Sequence, residues 1–275
     1  MINVSIVLYK HLPEQVIPLI KTLVHSDRVA SVFLVDNSPI KNVEFETLGA
    51  HYIFTGKNVG YGTAHNMAIR QTMNTDIDYH LVVNPDIVLE NSILGEIENF
   101  MNQNNDIGLL MPKVFFPNGE VQYLCKLLPT PFDLIFRRFL PEKWTLKRRN
   151  HFELRASGYN KLMEVPYLSG CFMFLRVNAL KKVGIFDERF FMYPEDIDLS
   201  RRINRYFRTV FYPEVSVVHQ HEQASYKNIK LLFIHMTNMT KYFCKWGWIF
   251  DNERKTVNKR TKDNLPISQC ENERM

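Results

Sequence analysis

Glu195, Asp196 and Asp198 place three carboxylates within four residues, behind Phe190-Phe191-Met192-Tyr193 and ahead of Arg201-Arg202. Carboxylates this close repel one another, so a helix N-terminus, a metal ion or a bound substrate must offset them. Pro194 suits the first turn of a helix, and Asp198 with Arg202 forms a supporting i,i+4 pair. Glu195 and Asp196 thus stand where a strand or loop passes into a helix, a position suited to a general base. An ordinary capped helix with a solvated acidic first turn would use the same residues. The functional reading therefore depends on further acidic sites.

Two such sites lie upstream. Leu81-Val82-Val83-Asn84-Pro85-Asp86 is an apolar strand that Pro85 must end, which leaves Asp86 at the strand's carboxyl end. Val32-Phe33-Leu34-Val35-Asp36-Asn37-Ser38-Pro39 repeats the pattern with Asp36. In open α/β sheets ligands bind at that edge. Between the two lies Gly56-Lys57-Asn58-Val59-Gly60-Tyr61-Gly62-Thr63-Ala64-His65-Asn66, a Gly- and Asn-rich turn leading into a helix. Such a turn lets backbone amides approach a phosphate at a helix N-terminus. It matches neither the Walker loop nor the dinucleotide fingerprint.

The elements that must carry these residues follow from periodicity. Apolar strands are expected near residues 3–9, 31–36, 51–54, 79–84 and 107–115, alternating with helices near 13–25, 61–74 and 91–103. That alternation implies an α/β fold with a mostly parallel, doubly wound sheet. Residues 116–164 interrupt it with Pro129, Pro131, Pro141 and a basic-aromatic stretch. The rhythm resumes at Val165-Pro166-Tyr167-Leu168-Ser169-Gly170, then runs through the acidic helix to a strand pair around 209–218.

This order of motifs resembles a family 2 glycosyltransferase of the GT-A fold, and within that family the bacterial rhamnosyltransferases of cell-surface polysaccharide synthesis. The resemblance spans roughly residues 3–222. It is carried by Val4-Ser5-Ile6-Val7-Leu8-Tyr9, Val35-Asp36-Asn37-Ser38, Asn58-Val59-Gly60-Tyr61-Gly62 and Asn84-Pro85-Asp86. It continues through Ser169-Gly170-Cys171-Phe172-Met173, the block from Phe186-Asp187-Glu188 to Arg202, and His219. Two departures stand out: Arg205-Tyr206-Phe207-Arg208 and Glu222-Gln223-Ala224-Ser225 occupy places where relatives carry glycines.

The resemblance implies transfer of a sugar from a nucleotide-sugar donor, dTDP-rhamnose or a UDP-sugar, to a saccharide or lipid-linked acceptor in one inverting displacement. It implies that Asp196 is the base, with Glu195 as its rival, and that Asp86 holds Mg2+ or Mn2+ against the diphosphate. His219 or His221 would add a ligand to the metal or diphosphate. Asp36 would bind the nucleotide's base or ribose, with Asn58, Gly60, Gly62 and Asn84 completing the donor site. Ser169, Gly170 and Tyr193 would line the acceptor pocket, and Arg202 would brace the acidic helix.

Composition agrees with an enzyme. The chain has 275 residues, 45% hydrophobic and 23% charged, enough to bury a full core. A catalytic domain is expected over 1–222 with a variable insert at about 116–164, then a helical membrane-proximal segment at 223–250 and a flexible polar tail at 251–275. Cys125, Cys171, Cys244 and Cys270 show no paired metal-ligand spacing and read as reduced thiols. No signal peptide or membrane-spanning run is evident, so the cytoplasmic side of the membrane is expected.

The net charge of +5 gathers in two basic-aromatic clusters. One sets Arg137, Arg138, Lys143, Lys147, Arg148 and Arg149 among Phe132, Phe136, Phe139 and Trp144. The other is Lys241-Tyr242-Phe243-Cys244-Lys245-Trp246-Gly247-Trp248-Ile249-Phe250. Such clusters suit an anionic membrane surface; the alternative is a solvated loop plus a helix packed on the core. A non-catalytic relative of the same fold would have lost carboxylates that are all present here. A nucleic-acid binder would need a continuous positive face without strand-end carboxylates, so no nucleic-acid partner is expected.

Overall fold

The structure is a computed structural model that describes residues 1–136, 140–220 and 229–266. The chain begins as alternating strands and helices: β1 (Ile2–Leu8), α1 (Pro13–Val24), β2 (Val29–Asp36), β3 (His51–Phe54), α2 (Tyr61–Met73) and β4 (Tyr79–Val83). There follow β5 (Ile87–Val88), α3 (Asn91–Gln103) and β6 (Ile107–Phe115). Residues 116–164 hold β7 (Cys125–Lys126), α4 (Pro131–Leu134), α5 (Glu142–Phe152) and β8 (Met163–Glu164). Then come β9 (Tyr167–Leu168), β10 (Phe172–Arg176), α6 (Val177–Val183), α7 (Glu195–Asn204), β11 (Arg208–His219), α8 (Ile229–Trp246) and α9 (Asn252–Asp263).

The main sheet runs β3-β2-β1-β4-β10-β6-β11-β5, with β8 also paired to β11. β1 to β4 are mutually parallel, β10 is antiparallel to both β4 and β6, and β11 is parallel to β6. Two reversals cancel, so β6 and β11 point the same way as β4. The carboxyl ends of β2, β4 and β11 and the start of β10 therefore lie along one edge. Chain order also reverses beside β1, where β2 lies on one side and β4 on the other, the crevice in which α/β sheets bind ligands.

β1 and β4 are buried on both faces because helices cover both. Val16, Leu19, Ile20 and Leu23 form the inward stripe of α1 and join Leu94, Ile97 and Met101 of α3 in one core cluster. Ile69 of α2, Leu180 of α6 and Ile197 of α7 fill the opposite face. The residues near 209–218 form one long strand rather than two, with an irregularity between Tyr212 and Ser216 where Pro213 interrupts the ladder.

The tail expected to be flexible is instead helical over Asn252–Asp263. The Asp251 side chain caps this helix by accepting from Arg254 N–H, and buried Arg201 binds Asp251 and Glu253 at 2.7 Å each. Asn258 also exchanges hydrogen bonds with the Leu128 backbone. The second basic-aromatic cluster also differs from expectation. Tyr242 and Phe243 are buried, Lys241 donates to the Arg189 carbonyl, and Lys245 and Trp246 both bind Asp198. Only its end, Trp248, Ile249 and Phe250, offers large exposed apolar surface. Arg137, Arg138, Phe139, His221, Glu222-Gln223-Ala224-Ser225 and Cys270 lie outside the described residues.

Candidate active site

Asp196 occupies the first turn of α7, where free N–H groups and the helix dipole favour a negative charge. Its Oδ1 accepts from Ile197 N–H at 2.8 Å and its Oδ2 from Gly170 N–H at 2.9 Å, with Tyr167 OH 3.4 Å away. A Cβ on Gly170 would stand 3.3 Å from Asp196 Cβ, so the missing side chain lets backbone reach this carboxylate. Burial raises the Asp196 carboxyl to about 6. Glu195 is pushed further, to about 8, by burial first and then by the Asp196 charge. Its Oε2 is buried without a hydrogen-bond partner among the described residues. Both carboxyls are therefore raised, and Glu195 holds its proton more tightly than Asp196.

The third carboxylate is neutralised by other means. Fully buried Asp198 accepts from Arg202 Nε and Trp246 Nε1 at 2.8 Å each and pairs with Lys245. Arg202 also donates to the carbonyls of Val183 and Ile185 and so braces the helix. A helix N-terminus, protonation and two cations together offset the repulsion that the sequence poses.

The second corner forms where β4 and β11 end. His219 Nε2 lies 3.2 Å from Asp86 Oδ1 and 3.4 Å from Asn84 Nδ2. Gln122 Nε2 donates to the His219 carbonyl at 2.9 Å, which orients the amide so that Gln122 Oε1 accepts from His219 Nδ1 at 3.0 Å. In a neutral imidazole the nitrogen facing Asp86 therefore carries the lone pair. An imidazole nitrogen and a carboxylate oxygen this close could both serve one divalent cation. Among the described residues no cluster of three or more His, Cys, Asp or Glu side chains is arranged to hold an ion.

Tyr61 links the two corners. Its hydroxyl lies 2.7 Å from the Gly170 carbonyl and 3.1 Å from Asn84 Oδ1. Burial, followed by nearby acidic groups, lifts its ionisation well above the ordinary tyrosine range, so it stays neutral. Tyr61, Gln122 and Tyr167 are site residues that sequence reasoning missed.

The glycine-rich turn packs against protein. Gly60 has φ +94°, and a Cβ there would stand 2.5 Å from the Phe191 carbonyl oxygen. A Cβ on Gly62 would stand 2.9 Å from Phe186 Cβ. Asn66 exchanges hydrogen bonds with the Phe186 backbone. These residues receive the segment that leads into α7. Asn58 Oδ1 accepts from Gly60 N–H at 3.0 Å and shapes the same turn.

Asp36 is buried at the end of β2, with Oδ1 accepting from Ser38 N–H at 2.9 Å and Oδ2 from Tyr52 OH at 2.7 Å. Asn37 donates to the Gly60 carbonyl and joins this strand end to the turn. Tyr193 has a strained φ of +93° directly before Pro194, and its ring packs on His235 with centroids 5.1 Å apart. Ser169 lies half-buried beside Cys171, whose thiol burial pushes up to about 12. The structure thus gathers Asp86, Asn84 and His219 at one corner and Asp196, Glu195 and Gly170 at the other.

No protein-family model matches this chain. It is 29% identical over 212 residues to the N-acetylglucosaminyl-diphospho-decaprenol L-rhamnosyltransferase of Mycobacterium tuberculosis, covering 70% of this chain and 67% of the relative. It is 24% identical over 256 residues to the rhamnosyltransferase WbbL of Escherichia coli, covering 89% and 93%. Among solved structures, GalNAc-T7 with UDP, GalNAc and Mn2+ superposes with a TM-score of 0.66 at 12% identity. That match takes in 92% of this chain and about half (49%) of the other. Together with the sheet order and the carboxylates along its edge, these similarities support a glycosyltransferase of the GT-A fold that resembles the rhamnosyltransferases.

Proposed function

We propose that the chain transfers L-rhamnose from dTDP-rhamnose to a saccharide acceptor, in one step that inverts the anomeric centre. The observation that carries this reading is the meeting of Asp196, at the head of α7, with the Asn84–Asp86–His219 corner, the two joined by Tyr61 through Gly170 and Asn84. Asp196 Oδ2 takes the proton of an acceptor hydroxyl. The freed oxygen forms its bond to the anomeric carbon as the bond from that carbon to the diphosphate breaks, and nucleoside diphosphate leaves. Protonated Glu195 removes a second negative charge from the approach of that oxygen.

Asp86 and His219 would hold Mg2+ or Mn2+, and Asn84 and Gln122 orient them. When bound, the ion supplies Lewis-acid stabilisation of the departing diphosphate. Asp36 and Asn58 stand on the donor side, at the ends of β2 and its neighbouring turn, and Ser169 and Tyr193 on the acceptor side. A lipid-linked acceptor is favoured because the mycobacterial relative's name carries a diphospho-decaprenol. Such an acceptor would bring the enzyme to the inner face of the cytoplasmic membrane.

A second reading, a UDP-sugar donor such as a UDP-hexose or UDP-galactofuranose, is favoured by the UDP and GalNAc in the GalNAc-T7 structure. The test is a panel of nucleotide sugars with Mg2+ or Mn2+ and release of nucleoside diphosphate as readout. Release from dTDP-rhamnose supports the first reading, release from a UDP-sugar the second, and release from none overturns both.

A further inference from the structure

We propose that Lys126 is a positioning residue that keeps Asp196 ionised, facing it across Tyr167 from the short strand β7. The proposal rests on the reading of Asp196 as the base. β7 pairs antiparallel with β9, and the register sets Lys126 opposite Tyr167. Lys126 Nζ stands 5.2 Å from the Tyr167 ring centroid, and the hydroxyl of that ring is 3.4 Å from Asp196 Oδ2. The half-buried ammonium pairs with no carboxylate within 4.0 Å among the described residues.

The groups around Asp196 leave Lys126 as its counter-charge. On α7 stand Glu195, whose carboxyl burial and the Asp196 charge raise, and Asp198, already bound to Arg202 and Lys245. β9 supplies Tyr167, the following turn Cys171 and α2 supplies Tyr61; burial holds all three neutral. The other cations near α7 are committed: Arg201 to Asp251 and Glu253, Arg202 to Asp198, and Lys245 to Asp187 and Asp198. Against the upward push of burial, the Gly170 N–H and then the positive charge of Lys126 pull the Asp196 carboxyl down. Without it, burial would leave the carboxylate protonated over more of the neutral range. Lys126 thus acts on transfer through Asp196 and by its charge, so arginine can replace it and an uncharged residue cannot.

The test is a 13C NMR titration of metal-free protein labelled at aspartate Cγ, with the Asp196 signal assigned by its loss in Asp196→Asn. In Lys126→Gln and in Lys126→Met, which keeps the packing on Tyr167, the Asp196 midpoint should rise by about 1 pH unit. Lys126→Arg should restore it, and the acid limb of the pH–rate profile should move with it. An unchanged midpoint in both uncharged variants overturns the proposal, as does a shift in Lys126→Arg as large as in Lys126→Gln. Because the titration needs no substrate, it stands apart from the base assignment: full turnover by Asp196→Asn refutes the base, and an unmoved midpoint refutes the pairing.

Discussion

Adjacent carboxylates in one buried helix turn are raised to different extents. Burial raises both carboxyls, the Asp196 charge raises Glu195 further, and the Gly170 and Ile197 N–H groups hold Asp196 lower. The consequence for stability follows from the sign of the shift. Glu195 is raised from 4.5 to about 8, so it favours the fold most below its unfolded value and that contribution is lost as pH rises toward 8. Glu195→Gln keeps the neutral form at every pH. Its Tm should equal that of the wild type near pH 4 and exceed it increasingly between pH 4.5 and 8. A Tm difference that does not vary with pH would show that Glu195 is not held protonated by the fold.

At the scale of elements, the residues that break a pattern were the legible ones. Pro85 ends β4 and leaves Asp86 at the sheet edge, Pro194 opens α7, and the stripes of α1 and α3 read directly as helices. What could not be read were pairings distant in sequence. Tyr61 meets Gly170 across 109 residues and Gln122 meets His219 across 97. α9 was missed because its stability comes from a cap and ion pairs rather than an apolar stripe. Gln122 yields a prediction at this scale, since it orients the imidazole through the nitrogen turned away from Asp86. Partners of that kind tune metal affinity, so Gln122→Leu should weaken Mn2+ binding about 10- to 100-fold by calorimetry with nucleoside diphosphate present. Unchanged affinity would remove His219 from the metal site.

For the whole molecule, the open question of location rests on a changed set of residues. Among the described residues no helix is long and apolar enough to cross a membrane. Lys245 and Trp246 serve the Asp198 network, so substituting them would disturb α7 and confuse any binding test. Trp144, Ile249 and Phe250 are 71%, 72% and 88% exposed, and Lys143 and Lys147 flank the first on α5. Binding to anionic vesicles through these residues should weaken with salt, because the attraction is screened within about 8 Å at physiological ionic strength. Replacing Trp144, Ile249 and Phe250 with Ser should lower co-sedimentation while leaving Tm unchanged. Equal, negligible binding of the wild type to anionic and neutral vesicles would rule out this surface.

The whole fold converges on one carboxylate, placed by α7, Gly170 and the edge of the sheet. The most direct measurement compares turnover of Asp196→Asn and Glu195→Gln with that of the wild type at pH 7, on the nucleotide sugar that the panel selects. Asp196→Asn should lower kcat at least ~100-fold, the range for lost acid–base catalysis, while donor affinity holds. Glu195→Gln, which mimics the protonated state already present, should stay within about tenfold of the wild type. Near-normal turnover by Asp196→Asn, with Glu195→Gln inactive, would assign the proton transfer to Glu195 and contradict the account.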